Sequence, residues 1–175
     1  MLYQLNTNIL INKLMPVLRE KEHYYHLNNN DIYVDIVNIN NLYSCFQYIR
    51  RSKLLSVETI CKEYKNHNIV EFKSCIYITD DEIKKILLSP IIEFNCGKYV
   101  IIDGVHRCYN CLFNEINSVY SIIIKTNVQL PSKPVLLSNV KISNNKVLRN
   151  TNFINYNPKN FRDINSISTN FDFSE

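Results

Sequence analysis

Glycine is nearly missing from this chain. Of 175 residues only two are glycine, Gly97 and Gly104, and alanine and tryptophan do not occur. Asparagine, isoleucine, lysine and tyrosine are abundant instead, a bias that an AT-rich coding sequence explains, so the asparagines carry no functional reading. No run of about 18 apolar residues is present, which argues against a membrane-spanning helix. The opening Met-Leu-Tyr-Gln-Leu-Asn lacks the basic start and apolar run of a secretion signal, and a cytoplasmic protein is expected.

In a reducing compartment the six cysteines, at 45, 61, 75, 96, 108 and 111, are not a disulfide framework. Cys96, His106, Cys108 and Cys111 form one candidate zinc cluster. Only Cys108 and Cys111 have finger-like spacing and no second pair exists, so packing as small hydrophobes on one helix face is the expectation. A net charge of +4 and a pI near 8.7 fall short of a dedicated nucleic-acid binder. With 46% hydrophobic residues the chain can bury one ordinary core.

Both glycines lie in residues 90–125, the stretch around which the rest is organised. Gly97, in Asn95-Cys96-Gly97-Lys98, separates two apolar runs, which predicts a hairpin pairing Ile91–Phe94 with Tyr99–Ile102. Gly104 follows the second run and precedes residues with helical spacing, Cys108, Cys111 and Leu112, extending toward Glu115 and Ile116. Asp103-Gly104-Val105-His106-Arg107 is thus a strand-to-helix turn. Such a turn presents unpaired backbone N–H groups and the positive end of a helix dipole. With a glycine that admits an anion and a His-Arg pair in the first turn, the expected ligand is a phosphate. A plain connection, with Asp103 as N-cap and His106 and Arg107 facing solvent, is the competing reading. Against it, the first turn is electrostatically the wrong end for His and Arg unless an anion binds there.

Tyr99-Val-Ile-Ile-Asp-Gly-Val-His-Arg107, preceded by Pro90-Ile-Ile and followed by a short helix and the strand Val119–Lys125, resembles the signature of the ParB/sulfiredoxin superfamily. The resemblance covers about a third of the chain. It implies an α+β fold, a compact ParB/sulfiredoxin-like domain with a small mixed sheet flanked by helices, and a nucleotide whose phosphates sit at this turn. Sulfiredoxins carry a reactive cysteine where this chain has Val105, which disfavours sulfinic acid reduction. ParB clamps carry an acidic residue and an arginine pair at the turn and continue into a helix-turn-helix domain, and neither feature is visible here. The free-serine kinases are most similar at the motif. Their catalytic aspartate falls on Asp103, while the glutamate they also require has no assigned counterpart.

The remaining segments are read from periodicity. Asn8–Leu27 is predicted helical, with Leu10, Leu14, Val17 and Leu18 on one face and Pro16 as a kink or a start. His23 and His26 are expected in surface or cap roles. Asp31–Ile39 reads as a mostly buried strand. Asn41–Lys65 reads as two helices, with Arg50, Arg51 and Lys53 as a basic knot between them and Glu58 and Glu63 as candidate acids in the second. The knot is either a solvated helix end or a contact for substrate phosphate or carboxylate. Ile69–Ile78 reads as a strand and Asp81–Leu88 as a helix opened by Thr79-Asp80-Asp81-Glu82.

The chain divides into a nucleotide-binding domain, 1–125, and a C-terminal β-rich extension, 126–175, packed on that domain or serving as a dimer arm. A second hairpin, Val135–Ile142 with Lys146–Ile154, is expected in it, and Asn165–Glu175 is expected to be loose. The extension carries six Lys and Arg against three Asp and Glu.

Two functions remain open. The first is a nucleotide-dependent phosphotransferase or NTPase using ATP or ADP (or CTP) with Mg²⁺ and a small hydroxylated substrate. In it Gly104, Val105, His106 and Arg107 hold phosphates, Asp103 accepts a proton or holds the metal, and His106 neutralises charge or shuttles a proton. The second is a ParB-like nucleotide-gated DNA-binding or nuclease-like protein. Low net charge favours the first.

Overall fold

The computed structural model describes residues 2–78 and 84–164. The fold is α+β, a mixed six-stranded sheet with helices on both faces and two small accessory sheets. Strand β1 (Leu2–Gln4) leads into α1 (Thr7–Arg19), which starts where the Asn6 side chain accepts the Asn8 N–H at 2.9 Å. Leu10, Leu14, Met15 and Leu18 are its buried stripe, and Pro16 lies inside the helix. The expected extension to Leu27 is not made. After Arg19 the chain breaks into tight turns, and Tyr24 is fully buried with its hydroxyl donating to Glu93 at 2.6 Å.

β2 (Ile32–Asn38) is an edge strand on β9. Only Ile32 and Val37 are buried and Ile36 is 61% exposed, so it is less buried than its apolar content suggested. The helix expected before Ser52 is replaced by two short strands, β3 (Leu42–Ser44) and β4 (Tyr48–Arg50). Two forces account for this. The Ser44 hydroxyl accepts the Phe46 N–H at 2.9 Å, a local turn that competes with helix, and β3 pairs in parallel with β8 through Leu42 and Tyr99. Helix α2 (Arg51–Asn66) then buries Val57, Cys61 and Tyr64.

Ile69–Ile78 is strand only over β5 (Cys75–Ile78). Phe72 is buried in a turn at φ 62°, and Val70 is 60% exposed. The helix expected over 81–88 is contradicted where it can be seen: β6 (Lys84–Leu87) pairs antiparallel with β5. Its proposed start at 79–83 lies outside the described residues.

The central hairpin forms as expected. β7 (Ile91–Asn95) and β8 (Lys98–Asp103) pair antiparallel, and Cys96 at φ 47° and Gly97 at φ 77° supply the two positive angles of a tight right-twisting turn. α3 (Val105–Phe113) ends before Glu115, and β9 (Ser118–Lys125) returns parallel to β7. Alternation along β9 fills both cores. Ile122 and Ile124 pack with α1, whereas Ile123 packs with α2 and α3, and each buried isoleucine contributes about 1.5–3 kcal/mol.

The segment from 126 to 164 crosses back over the domain, and it forms no hairpin about 143–145. β10 (Val135–Leu136) closes the large sheet against β3, β11 (Lys141–Ser143) pairs in parallel with β4, and α4 (Arg149–Asn152) follows. The Asn152 side chain accepts from Tyr48 N at 2.7 Å and donates to Tyr48 O at 3.1 Å, taking the place of a neighbouring strand. Phe153 stacks on Tyr156 and packs on Phe46, closing a third small core with Cys45 and Val100. The sheet order is β10-β3-β8-β7-β9-β2.

Candidate functional site

The turn after β8 opens onto a cleft of about 540 Å³. Gly104, at φ 86°, is the residue that caps α3, so the cap is Gly104 rather than Asp103. The left-handed angle alone favours glycine, and space enforces it. A Cβ there would meet Arg107 Nη2 at 2.9 Å and Pro90 Cβ at 3.0 Å. The room that glycine leaves is thus filled by the Arg107 guanidinium. Its Nη2 donates to Asp103 Oδ2 at 2.9 Å, and its Nη1 donates to the Leu88 carbonyl. These two bonds use two of its five N–H donors. The pair is half-exposed, with side chains 17% and 46% accessible for Arg107 and Asp103.

His106 lies between this cleft and a neighbouring cavity of about 210 Å³. Its Nε2 accepts the Arg50 N–H at 3.3 Å, which places the ring proton on Nδ1. Burial first, then the positive charges of Lys53 and Arg50, lower its pKa to about 4, against the opposing pull of Asp103. At neutral pH the ring is uncharged, and it offers a hydrogen bond at Nδ1 rather than a positive charge. Val105, 8% exposed, anchors the first turn in the core.

Arg50, Arg51 and Lys53 do not follow a helix, as the solvated-end reading required. They begin one. α2 starts at Arg51, so these cations sit at the positive end of its dipole, and Lys53 lines the same cleft as the α3 N-terminus. Two helices therefore start at one cleft, α2 with Arg51 and Lys53 and α3 with Arg107 in the first turn. Each arrangement is repulsive by itself, and a bound anion would relieve both.

Sequence reasoning missed the far wall of the cleft. Arg149 and Phe161 line it from the C-terminal segment, with the Arg149 guanidinium 4.7 Å above the Phe161 ring. One signal was available: residues 116–162 contain seven Lys and Arg and no Asp or Glu. Glu58 and Glu63 do not line the cleft, and Asp103 is the only carboxylate among its described lining residues. Glu93 is near in sequence to the motif but fully buried, paired with Arg162 at 2.8 Å, and structural.

Cys108 and Cys111 are buried in the core, and burial raises both thiol pKa values, that of Cys111 to about 12. They pack as small hydrophobes, while Cys96 sits exposed in the β7–β8 turn. Among the described residues no group of three or more His, Cys, Asp and Glu side chains could hold a metal ion. His23 and His26 point elsewhere, to the Lys159 carbonyl at 3.0 Å and the Thr126 hydroxyl at 3.3 Å. No helix among the described residues is long and apolar enough to cross a membrane.

Comparison with protein-family models, with curated proteins and with solved structures found no match to this chain.

Proposed function

We propose that this protein is a nucleotide-dependent phosphotransferase or NTPase of ParB/sulfiredoxin-like fold. The observation that carries this reading is the convergence of the α2 and α3 N-termini, with Lys53, Arg149 and Asp103, on one cleft. Backbone N–H groups of Val105 and His106 and the Lys53 ammonium would take phosphate oxygens, and Phe46 or Phe161 offers a face for the base. The succession β8, turn, α3, β9, with β7 between the two strands, supports the superfamily reading.

Asp103, oriented by Arg107, would accept the proton of the attacking hydroxyl or water. His106, neutral, would donate from Nδ1 to a phosphate oxygen rather than neutralise charge. Mg²⁺ fits as a partner of the nucleotide. Phosphate oxygens and water would hold it, which leaves Asp103, the only described carboxylate lining the cleft, free to take the proton. The ion would supply charge neutralisation on the phosphates.

The test is calorimetric titration with ATP, ADP and CTP, with and without Mg²⁺, followed by a phosphate-release assay. Asp103→Asn should abolish turnover while sparing the fold. Absence of nucleotide binding would overturn the proposal.

A second reading, a nucleotide-gated DNA-binding protein, is favoured by the acid-free stretch 116–162 and by the exposed Arg50, Arg51, Lys146 and Arg149. DNA binding that weakens steeply between two salt concentrations, without nucleotide turnover, would select it.

A further inference from the structure

A second cavity, of about 200 Å³, lies against the same Asp103–Arg107 pair that lines the main cleft. Its walls are otherwise apolar or engaged. Ile60, Ile86, Leu87, Ile91 and Ile164 supply hydrocarbon, and the Tyr64 hydroxyl is occupied by the Lys73 carbonyl at 2.8 Å. Among the described residues the only charges at its border are Asp103 and Arg107, paired with each other at 2.9 Å. We infer that this cavity is the acceptor subsite of the proposed phosphotransferase, and that it takes an uncharged alcohol or phenol with an apolar body of about six to eight heavy atoms.

This subsite rests on the nucleotide reading of the main cleft and adds to it the class of the second substrate. Size gives the upper limit, because a cavity of about 150 Å³ lined by hydrocarbon already admits benzene. Polarity gives the class. A charged or polyhydroxylated acceptor such as an amino acid or a sugar would lose its hydration against these isoleucines and leucines, with polar partners among the described residues only at the Asp103–Arg107 end. Topology gives the role, since Asp103 borders both cavities and so stands between a nucleotide in one and a hydroxyl in the other.

In the reaction the acceptor oxygen attacks the terminal phosphorus of a nucleoside triphosphate. The new P–O bond forms as the bond to the bridging β–γ oxygen breaks. The hydroxyl proton passes to the Asp103 carboxylate, and the nucleoside diphosphate leaves with the electron pair. Nothing is oxidised or reduced. Ile60 lines both cavities, so the two substrates would share one wall.

The experiment uses the full chain with ATP and Mg²⁺ and a series of acceptors, n-propanol to n-octanol and phenol, against serine and glycerol. Phosphorylated product is followed by ³¹P NMR, and alcohol binding without nucleotide is followed by ligand-observed NMR. Each methylene should raise kcat/KM by about a factor of four until the cavity is full. Ile86→Phe, which fills the smaller cavity only, should abolish saturable alcohol binding and leave ATP affinity unchanged.

Serine or glycerol used as well as hexanol would overturn the inference. So would the absence of saturable alcohol binding in a protein that binds ATP, which would leave the nucleotide reading standing. Alcohol binding that Ile86→Phe does not disturb would place the alcohol elsewhere and overturn it too. If the chain binds neither ATP nor alcohol, both readings fall, and the wild-type acceptor series decides even if Ile86→Phe does not fold.

Discussion

Arg162→Met should remove about 3–5 kcal/mol of folding stability, although Arg162 is not proposed to touch substrate. The guanidinium and the Glu93 carboxylate are 1% and 0% exposed. They are joined by Nε to Oε1 at 2.8 Å and Nη2 to Oε2 at 3.2 Å. Tyr24 and Asn95 donate to the same carboxylate at 2.6 and 3.1 Å, and Arg162 also caps the carbonyls of Gln129 at 2.9 Å and Val128 at 3.2 Å. Burial alone would lower the Arg162 pKa, but the hydrogen bond and charge of Glu93 outweigh it and hold the guanidinium above its usual value.

Removing the cation leaves a carboxylate in the core with two neutral donors, and breaking one side of a buried pair typically costs about 3–5 kcal/mol. That is about a fifth or more of the stability of an ordinary domain. Removing both charges together, Glu93→Gln with Arg162→Met, should cost about half as much, because the amide still accepts from Tyr24 and no charge is stranded. Urea denaturation of the four proteins in a double-mutant cycle measures this, and the single variant should melt about 6–20 °C below wild type. A loss under about 1 kcal/mol for Arg162→Met, or a double variant equal to the sum of the singles, would refute the reasoning.

Gly104→Ala should destabilise by about 2–4 kcal/mol, from the left-handed angle and the collision with Pro90 and Arg107. Gly97→Ala, at φ 77° with nothing within 4 Å of its Cβ, should lose only about 1 kcal/mol; thermal melts compare them. His106 should titrate near pH 4 by NMR. Because its folded pKa lies below the unfolded 6.5, its neutral form favours folding above about pH 6.5. That contribution is lost as pH falls toward 4, and a midpoint near 6.5 would contradict the burial of the ring beside Lys53 and Arg50. Lys53→Ala and Arg149→Ala should each weaken ATP binding about 10- to 100-fold by calorimetry, with unchanged melting temperatures.

What the sequence determined by itself is what contiguous residues can specify. Cys96-Gly97 marked the hairpin because a two-residue turn needs two positive φ angles, and Asp103-Gly104 marked the passage from strand to helix because the periodicity changes there. The motif residues Asp103 to Arg107 were legible for the same reason, and the structure brings them to one cleft with Lys53. The tertiary structure alone decided what depends on distant partners.

Leu42, Cys45, Phe46 and Ile49 have helical spacing, yet pairing with Tyr99 to Ile101 makes Leu42–Ser44 a strand. That change moves Arg50, Arg51 and Lys53 from the end of a helix to the beginning of one and reverses the sign of their interaction with its dipole. Arg149 and Phe161 reach the cleft, and Arg162 reaches Glu93, from dozens of residues away. No local pattern encodes such meetings, because they exist only once both cores have closed around the sheet.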